Sequence, residues 1–232
     1  GYRIGQVNPV RSDPLSGQQI PAASAPDSLW NYEVGEKSSF LDHRLLVNAD
    51  IYYVDWRNIQ LNELTLVSGI NYIGNAGKAN VKGLELEVEA RPTLNWDLGG
   101  SLALTNARLE TVNATAAATA GDRLPGSAPV SADLYLQYNH TLANGSLLFA
   151  RVDGRHVGKE YSDLDNFTSL TYGRYSELNL RSGLKWSRYA LTAYLDNVTD
   201  ASGKVGAFES LNVPVAIRQR PLTGGLTFDA LF

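Results

Sequence analysis

The sequence has neither cysteine nor methionine among its 232 residues. Without a thiol there is no disulfide scaffold, no cysteine-ligated zinc and no thiol catalysis. Absence of cysteine also suits a chain that crosses an oxidising compartment. No apolar run approaches the roughly 18 residues that cross a bilayer as a helix. A transmembrane barrel survives that test, because its strands are half apolar and leave mean hydropathy near zero, here −0.20. Basic runs are missing too: 20 Lys and Arg against 24 Asp and Glu give a net charge of −4, which argues against a nucleic-acid partner. There is almost no helical periodicity, no P-loop and no dinucleotide-binding glycine pattern. The chain starts at Gly1 without an initiator methionine or signal peptide, so it is expected to be a mature or truncated piece of something longer.

What the sequence has is two-faced strands. In 84–89, Leu84, Leu86 and Val88 alternate with Glu85, Glu87 and Glu89, which puts aliphatics on one side of a strand and carboxylates on the other. The same alternation sets Leu178, Leu180 and Leu184 against Arg181 and Lys185, and Leu226 and Phe228 against Thr227 and Asp229. It runs through segments 30–37, 43–56, 71–91, 96–110, 131–142, 146–157, 174–187, 189–198 and 218–232, about nine strands plus a partial one at the start. Such strands have two physical solutions. Their apolar sides can pack together in a soluble sandwich, or they can face lipid around a wet lumen.

The connections favour lipid. Those near 38–43, 92–95, 143–145 and 187–188 are short, with Ala143-Asn144-Gly145 a hairpin signal. Those near 9–28, 111–128, 158–173 and 199–216 are long and polar, with a more modest loop near 62–69. Short turns at one end and long loops at the other belong to outer-membrane barrels. Trp96 and Trp186 fall at short-turn ends, where aromatic rings anchor at a bilayer interface, and Tyr52, Tyr53, Tyr72, Tyr138 and Tyr189 also fall at strand ends. Strands longer than the roughly 9–11 residues of a bilayer crossing are expected to project beyond it on the long-loop side.

Several runs resemble the TonB-dependent outer-membrane receptors. These are NYEVGEKSSF at 31–40, YYVDWRNIQ at 52–60, NAGKANVKGLELE at 75–87, GDRLPG at 121–126, DNVTD at 196–200 and the ending RPLTGGLTFDALF at 220–232. GYRIGQVNP at 1–9 is similar to the outer end of the preceding strand. The resemblance implies an all-β, antiparallel, up-and-down transmembrane β-barrel of 22 strands with a plugged lumen, of which 1–232 is the C-terminal portion and the plug domain lies outside this chain. It implies outer-membrane, energy-coupled uptake of a bulky scarce nutrient such as an iron–siderophore complex. The implied partners are the lipid bilayer, the TonB complex through the N-terminal part, and the barrel-assembly machinery through the last strand. Phe232, sharing parity with Leu226 and Phe228, is the implied assembly signal. A passive porin-like barrel and a soluble secreted β-sandwich adhesin stay open as alternatives.

Chemistry-bearing residues are sparse, and no cofactor or metal is expected. His43, His140 and His156 are far apart without ligand spacing. The Glu row reads as a solvated lumen wall that Lys and Arg on adjacent strands could balance, and no nucleophile–base–orienter set appears, so the chain is not expected to be an enzyme. Five N-x-S/T triplets, starting at Asn113, Asn139, Asn144, Asn166 and Asn197, read as chance. The candidate substrate contacts are polar or aromatic groups at the outer ends: Asp122 and Arg123 in a loop, Tyr161 and Arg174 flanking another, and Arg218 at the start of the final strand.

Overall fold

Every regular element in the computed structural model is a strand, and every ladder is antiparallel. The structure describes the whole chain except residues 66, 114–117, 165, 167–169, 211–212 and 231–232. The elements are β1 (Tyr2–Arg3), β2 (Asp27–Phe40), β3 (Leu45–Arg57), β4 (Gln60–Leu64), β5 (Asn71–Asn75), β6 (Gly77–Thr93), β7 (Trp96–Val112), β8 (Val130–Thr141), β9 (Leu147–Tyr161), β10 (Thr171–Trp186), β11 (Tyr189–Asp196), β12 (Lys204–Ser210), β13 (Val213–Arg218) and β14 (Thr223–Ala230). The main sheet runs β1-β2-β3-β6-β7-β8-β9-β10-β11-β14, the nine full strands and one partial strand that the alternation predicts. It is an open wall, not a closed barrel. Phe232 lies outside the described residues.

Three boundaries differ from the sequence reading. Segment 71–91 is not one strand but β5 and β6, separated at Ala76. The β4–β5 hairpin continues the β3–β6 ladder in the same register, with Trp56↔Ala79 below the break and Gln60↔Asn75 above it. The kink comes from Asn58 at φ 54° and Gly77 at φ 127°, conformations that turn a strand out of its plane. The long connection after β11 holds a second hairpin, β12–β13. Arg218 therefore ends β13 instead of starting the final strand, which begins at Thr223. The alternating pattern is the same in these excursions as in the wall, so pattern alone merges them.

Register shows what each side of the wall carries. Leu84 lies between Ile51 and Leu104, Leu86 between Ala49 and Leu102, and Leu180 between Val152 and Leu195. Leu184 lies between Leu148 and Leu191, and Phe228 pairs with Leu191. No second layer covers this side: Leu134 is 66% and Leu226 73% exposed. The apolar sides do not meet in a core, which removes the sandwich. Two aromatic rows bound the apolar side. Trp96 against Tyr138 (centroids 4.8 Å apart) and Trp186 with Tyr189 and Phe228 stand near the short turns, and Tyr32 with Tyr53 stands far from them. From Leu45 to Tyr53 is roughly 26 Å along the strand, shortened to roughly 20 Å by a barrel tilt near 40°. Two of the tyrosines grouped with them in sequence do not belong: Tyr72 is buried in β5, and Tyr52 points to the polar side.

On the polar side, aromatic rings lie across glycines directly opposite them. Tyr52 covers Gly83, Tyr135 covers Gly99, Phe149 covers Gly183 and Tyr194 covers Gly225. A Cβ at Gly99 would stand 2.6 Å from the Tyr135 ring, and one at Gly225 2.5 Å from the Tyr194 hydroxyl. Only glycine leaves room for the ring to lie flat on the neighbouring backbone.

Candidate functional site

The polar side carries its charges in two zones. Arg151 binds Asp153 at 2.6 Å and lies 4.2 Å over the Tyr135 ring; Arg181 bridges Asp153 (3.6 Å) and Asp196 (3.4 Å). Arg155 stands 3.8 Å from Asp133. These arginines belong to β9 and β10, where acids from the same and neighbouring strands neutralise them. The Glu row lies on the other side of the small-residue strip Gly99, Ser101 and Ala103 of β7, and its neighbours are not the expected cations. Glu85 faces Asp50 and Ala103; Glu87 faces Ser101 and Asn48, whose amide donates to it at 2.9 Å. The expectation of balance from adjacent strands fails because both flanking strands place neutral or acidic side chains at these registers. Glu87, Tyr135, Arg151, Asp153 and Arg181 together line an open cleft of about 450 Å³.

Toward the long-loop end this side changes from wet to dry. Ile59, Ala76, Ala79, Ala107, Leu109, Leu124 and Leu164 form one buried cluster. Ala79, Ala107 and Leu109 are wall residues. Ile59 and Ala76 come from the kinked hairpin, Leu124 from the β7–β8 loop and Leu164 from the β9–β10 loop. Three long connections thus converge on the inner surface of β6 and β7.

Hydrogen bonds fix them there. The Asn166 carboxamide grips the backbone of Arg123 on both sides, accepting from its amide at 2.6 Å and donating to its carbonyl at 3.1 Å. Gly126 N donates to Tyr161 O at 3.1 Å, and Leu124 N to Ala107 O at 3.1 Å. The 9–28 segment is tied in as well. Asp27 receives Arg3 Nε (3.1 Å) and Trp56 Nε1 (3.0 Å), and Asp13 receives the amides of Leu15 (2.8 Å), Ser16 (3.1 Å) and Ser68 (3.0 Å). Burial raises the Asp13 carboxyl, but the hydroxyls of Ser68 and Thr65 and the amides of Ser16 and Leu15 outweigh it and hold it well below the usual carboxylate range. In the hairpin, burial pushes Glu63 up, opposed by the Tyr72 hydroxyl that donates to it at 2.7 Å.

The five asparagine triplets read as chance are structural. Asn113 Nδ2 donates to Asn75 O (2.6 Å), Asn139 Nδ2 to Asp97 (2.7 Å), and Asn144 Oδ1 accepts Ser146 N (3.0 Å). Asn197, 2% exposed, donates to Ala201 O and Arg220 O and so closes the turn of the DNVTD run. Asn166→Ala would free both edges of Arg123, a loss of about 1–2 kcal/mol of local stability. Tryptic nicking after Arg123 is expected to quicken by roughly tenfold; an unchanged rate would show that the clamp holds nothing.

The five candidate contacts do not form one cluster. Asp122 accepts the Thr119 amide at 2.8 Å within its loop, and Tyr161 closes β9 beside Gly126. Arg174 is exposed at φ 57°, and Arg218 reaches Ser202 O at 3.4 Å on the β12–β13 hairpin. Arg123 pairs with Arg108 as an isolated bridge. The histidines sit in three separate places: His43 with Ser39, His156 with Ser176, and His140 stacked on Tyr138.

A model of the family described as TonB dependent receptor-like, beta-barrel, matches residues 1–198. The chain is 29% identical over 205 residues to the pesticin receptor of Yersinia enterocolitica, covering 86% of this chain and 28% of that protein. Its fold is similar to that of the ferric yersiniabactin uptake receptor of Yersinia pestis, with TM-score 0.78 and 23% identity over 100% of this chain and 34% of that one. It is also similar to the ferric preacinetobactin receptor of Acinetobacter baumannii, with TM-score 0.71, 16% identity and coverage of 99% and 32%. The chain spans a little over a quarter of the curated relatives it matches.

Proposed function

Since the chain belongs to the TonB-dependent receptor family, as the C-terminal part of its outer-membrane β-barrel, we propose that the whole receptor imports a bulky scarce nutrient, such as an iron–siderophore complex, with energy coupled through TonB. The family consists of receptors and transporters, not enzymes. The observation that carries the reading is the gathering of three long connections into one packed unit at the outer end of a wet, charged wall. Loops tied across the inner surface give a receptor a shaped mouth that holds a ligand; the match to the receptor family, not the loops alone, separates this reading from a diffusion channel.

The plug and the TonB-contacting segment belong, on this reading, to the rest of the receptor. The Glu row, whose directly paired positions on β3 and β7 carry no cation, fits a contact with basic groups of such a lumen-filling domain. Asp122, Tyr161, Arg174 and Arg218 are proposed as rim groups that meet the ligand, Arg123 being set apart from them by its bridge to Arg108, and Phe232 as the end of the strand read by the assembly machinery.

Uptake by the full-length receptor, measured with radiolabelled ferric yersiniabactin as the probe, is expected to stop when an uncoupler collapses the proton-motive force. Trimming 111–128 or 158–173 is expected to weaken binding while leaving the barrel assembled. Uptake that persists without the membrane potential would overturn active transport and favour a passive barrel.

A further inference from the structure

Along β2, β3, β6 and β7 the lipid-facing side changes character within two rows of side chains. The row Val34, Ile51, Leu84 and Leu104 is aliphatic. One row farther from the short turns stand Tyr32, Tyr53, Lys82 and Asn106, with Lys82 Nζ 5.8 Å from the Tyr53 ring centroid. The next row is Trp30, Asp55, Asn80 and Arg108, and the Arg108–Arg123 bridge extends it. Bridge-paired residues leave a sheet on the same side. Lys82, Arg108 and Arg123 therefore share the outer surface just above the apolar band.

The acids of this surface are already engaged. Lys78 takes Asp55 at 3.4 Å and Glu110 at 2.9 Å, and Arg57 takes Asp55 at 2.9 Å. No carboxylate is within ion-pair reach of Lys82, Arg108 or Arg123 among the described residues. Arg108 donates instead to Asn106 Oδ1 (2.9 Å) and Gly121 O (2.5 Å), and Arg123 to Thr105 O (3.5 Å). Burial, and then the neighbouring charge of Arg108, hold the Arg123 guanidinium below its ordinary value, opposed in part by the nearby Tyr161 hydroxyl.

We propose that Lys82, Arg108 and Arg123 form a site on the outer wall for the phosphate groups of outer-leaflet glycolipids. The three cations stand one to two rows beyond the last aliphatic row, where headgroups of a lipid packed on Leu84 and Leu104 must lie. Two planar guanidinium groups beside an ammonium suit phosphate oxygens, which take forked donors. Tyr32 and Tyr53 give the sugar ring an aromatic floor at the same height. The site rests on the outer-membrane placement of the barrel and is independent of what the receptor imports.

The test uses the full-length receptor in detergent, titrated with a bis-phosphorylated lipid A-type glycolipid and with the same lipid after phosphatase treatment, bound lipid being counted by native mass spectrometry. The wild type is expected to prefer the phosphorylated form by on the order of a hundredfold, given three cations at the surface. Lys82→Gln/Arg108→Gln/Arg123→Gln is expected to lose that preference while keeping the compact electrophoretic mobility of a folded barrel, and Arg108→Lys/Arg123→Lys to keep most of it. If the triple variant does not fold, Lys82→Gln decides: a partial loss supports the site and an unchanged preference overturns it. Equal binding of both lipids by the wild type, or full displacement of the lipid by inorganic phosphate, also overturns it.

Discussion

Replacing Leu86 by arginine is expected to cost the folded barrel about 2–4 kcal/mol, the penalty for a cation on the lipid face near the bilayer midplane. Leu86 stands between Ala49 and Leu102, one row from Leu84 on one side and Val88 on the other, with Lys82 two rows away. The nearest acid on that face is Glu36, two strands away beyond Ala49, so an arginine there has no directly paired carboxylate and must reach past aliphatic rows to find water. The control is Glu87→Arg, one residue along and on the opposite face beside Asn48 and Ser101. It exchanges one solvated charge for another and should change stability by well under the Leu86 penalty. Denaturant titration of the full-length receptor in lipid vesicles measures both. Equal penalties for the two variants would mean that the aliphatic face does not lie in hydrocarbon.

The second large effect is expected at Leu109, which is 2% exposed at the centre of the outer cluster. Leu109→Ala removes the side chain against which Ile59, Leu124 and Leu164 pack. A buried Leu→Ala change costs about 2–5 kcal/mol. The loss should be local, because the ladders below Leu109 run through different side chains. The expected result is faster amide exchange at Ile59, Ala76 and Leu124 and weaker ligand binding by the full-length receptor, with exchange at Leu86 and Leu180 unchanged. Exchange that quickens equally at Leu86 would show that the cluster stabilises the barrel as a whole and is no separate mouth.

Alternation made the wall legible in the sequence, since parity alone assigns Leu84, Leu180 and Phe228 to one side and Glu85, Arg181 and Asp229 to the other. Loop lengths oriented the wall, and Trp96 and Trp186 marked its short-turn margin. The mouth was not legible. Segment 71–91 alternates without interruption, and the break at Ala76 exists because Asn58 and Gly77 kink the ladder together, from positions 19 residues apart. Arg218 was displaced because its strand pattern belongs to an extra hairpin, β12–β13, which pairs with the end of β10 at Gly173↔Lys204 before the chain returns as β14. The Glu row was legible as a polar wall, but its neutralisation was not, because that depends on which registers face Glu85 and Glu87. Asn166 and Asn197 carried a recognisable triplet, but the use of their carboxamides depends on distant carbonyls, Arg123 for one and Arg220 for the other.

The rings laid over glycines have a consequence for how this wall is put together. Each of four hairpin or neighbour seams contains one site where a large ring and an absent side chain must coincide: Tyr52 with Gly83, Tyr135 with Gly99, Phe149 with Gly183 and Tyr194 with Gly225. A slip of one residue would bring the Tyr52 ring against Lys82 or Leu84, and the Tyr194 ring against Gly224 or Leu226, while also turning every aliphatic into the lumen. A slip of two keeps the faces correct, and hydrophobic patterning cannot detect it. The ring–glycine match can, because the ring would then meet Val81 or Glu85 in place of Gly83. The four seams therefore act as independent proofreading marks, each able to reject a misaligned strand as it is added, before the rest of the barrel exists to correct it.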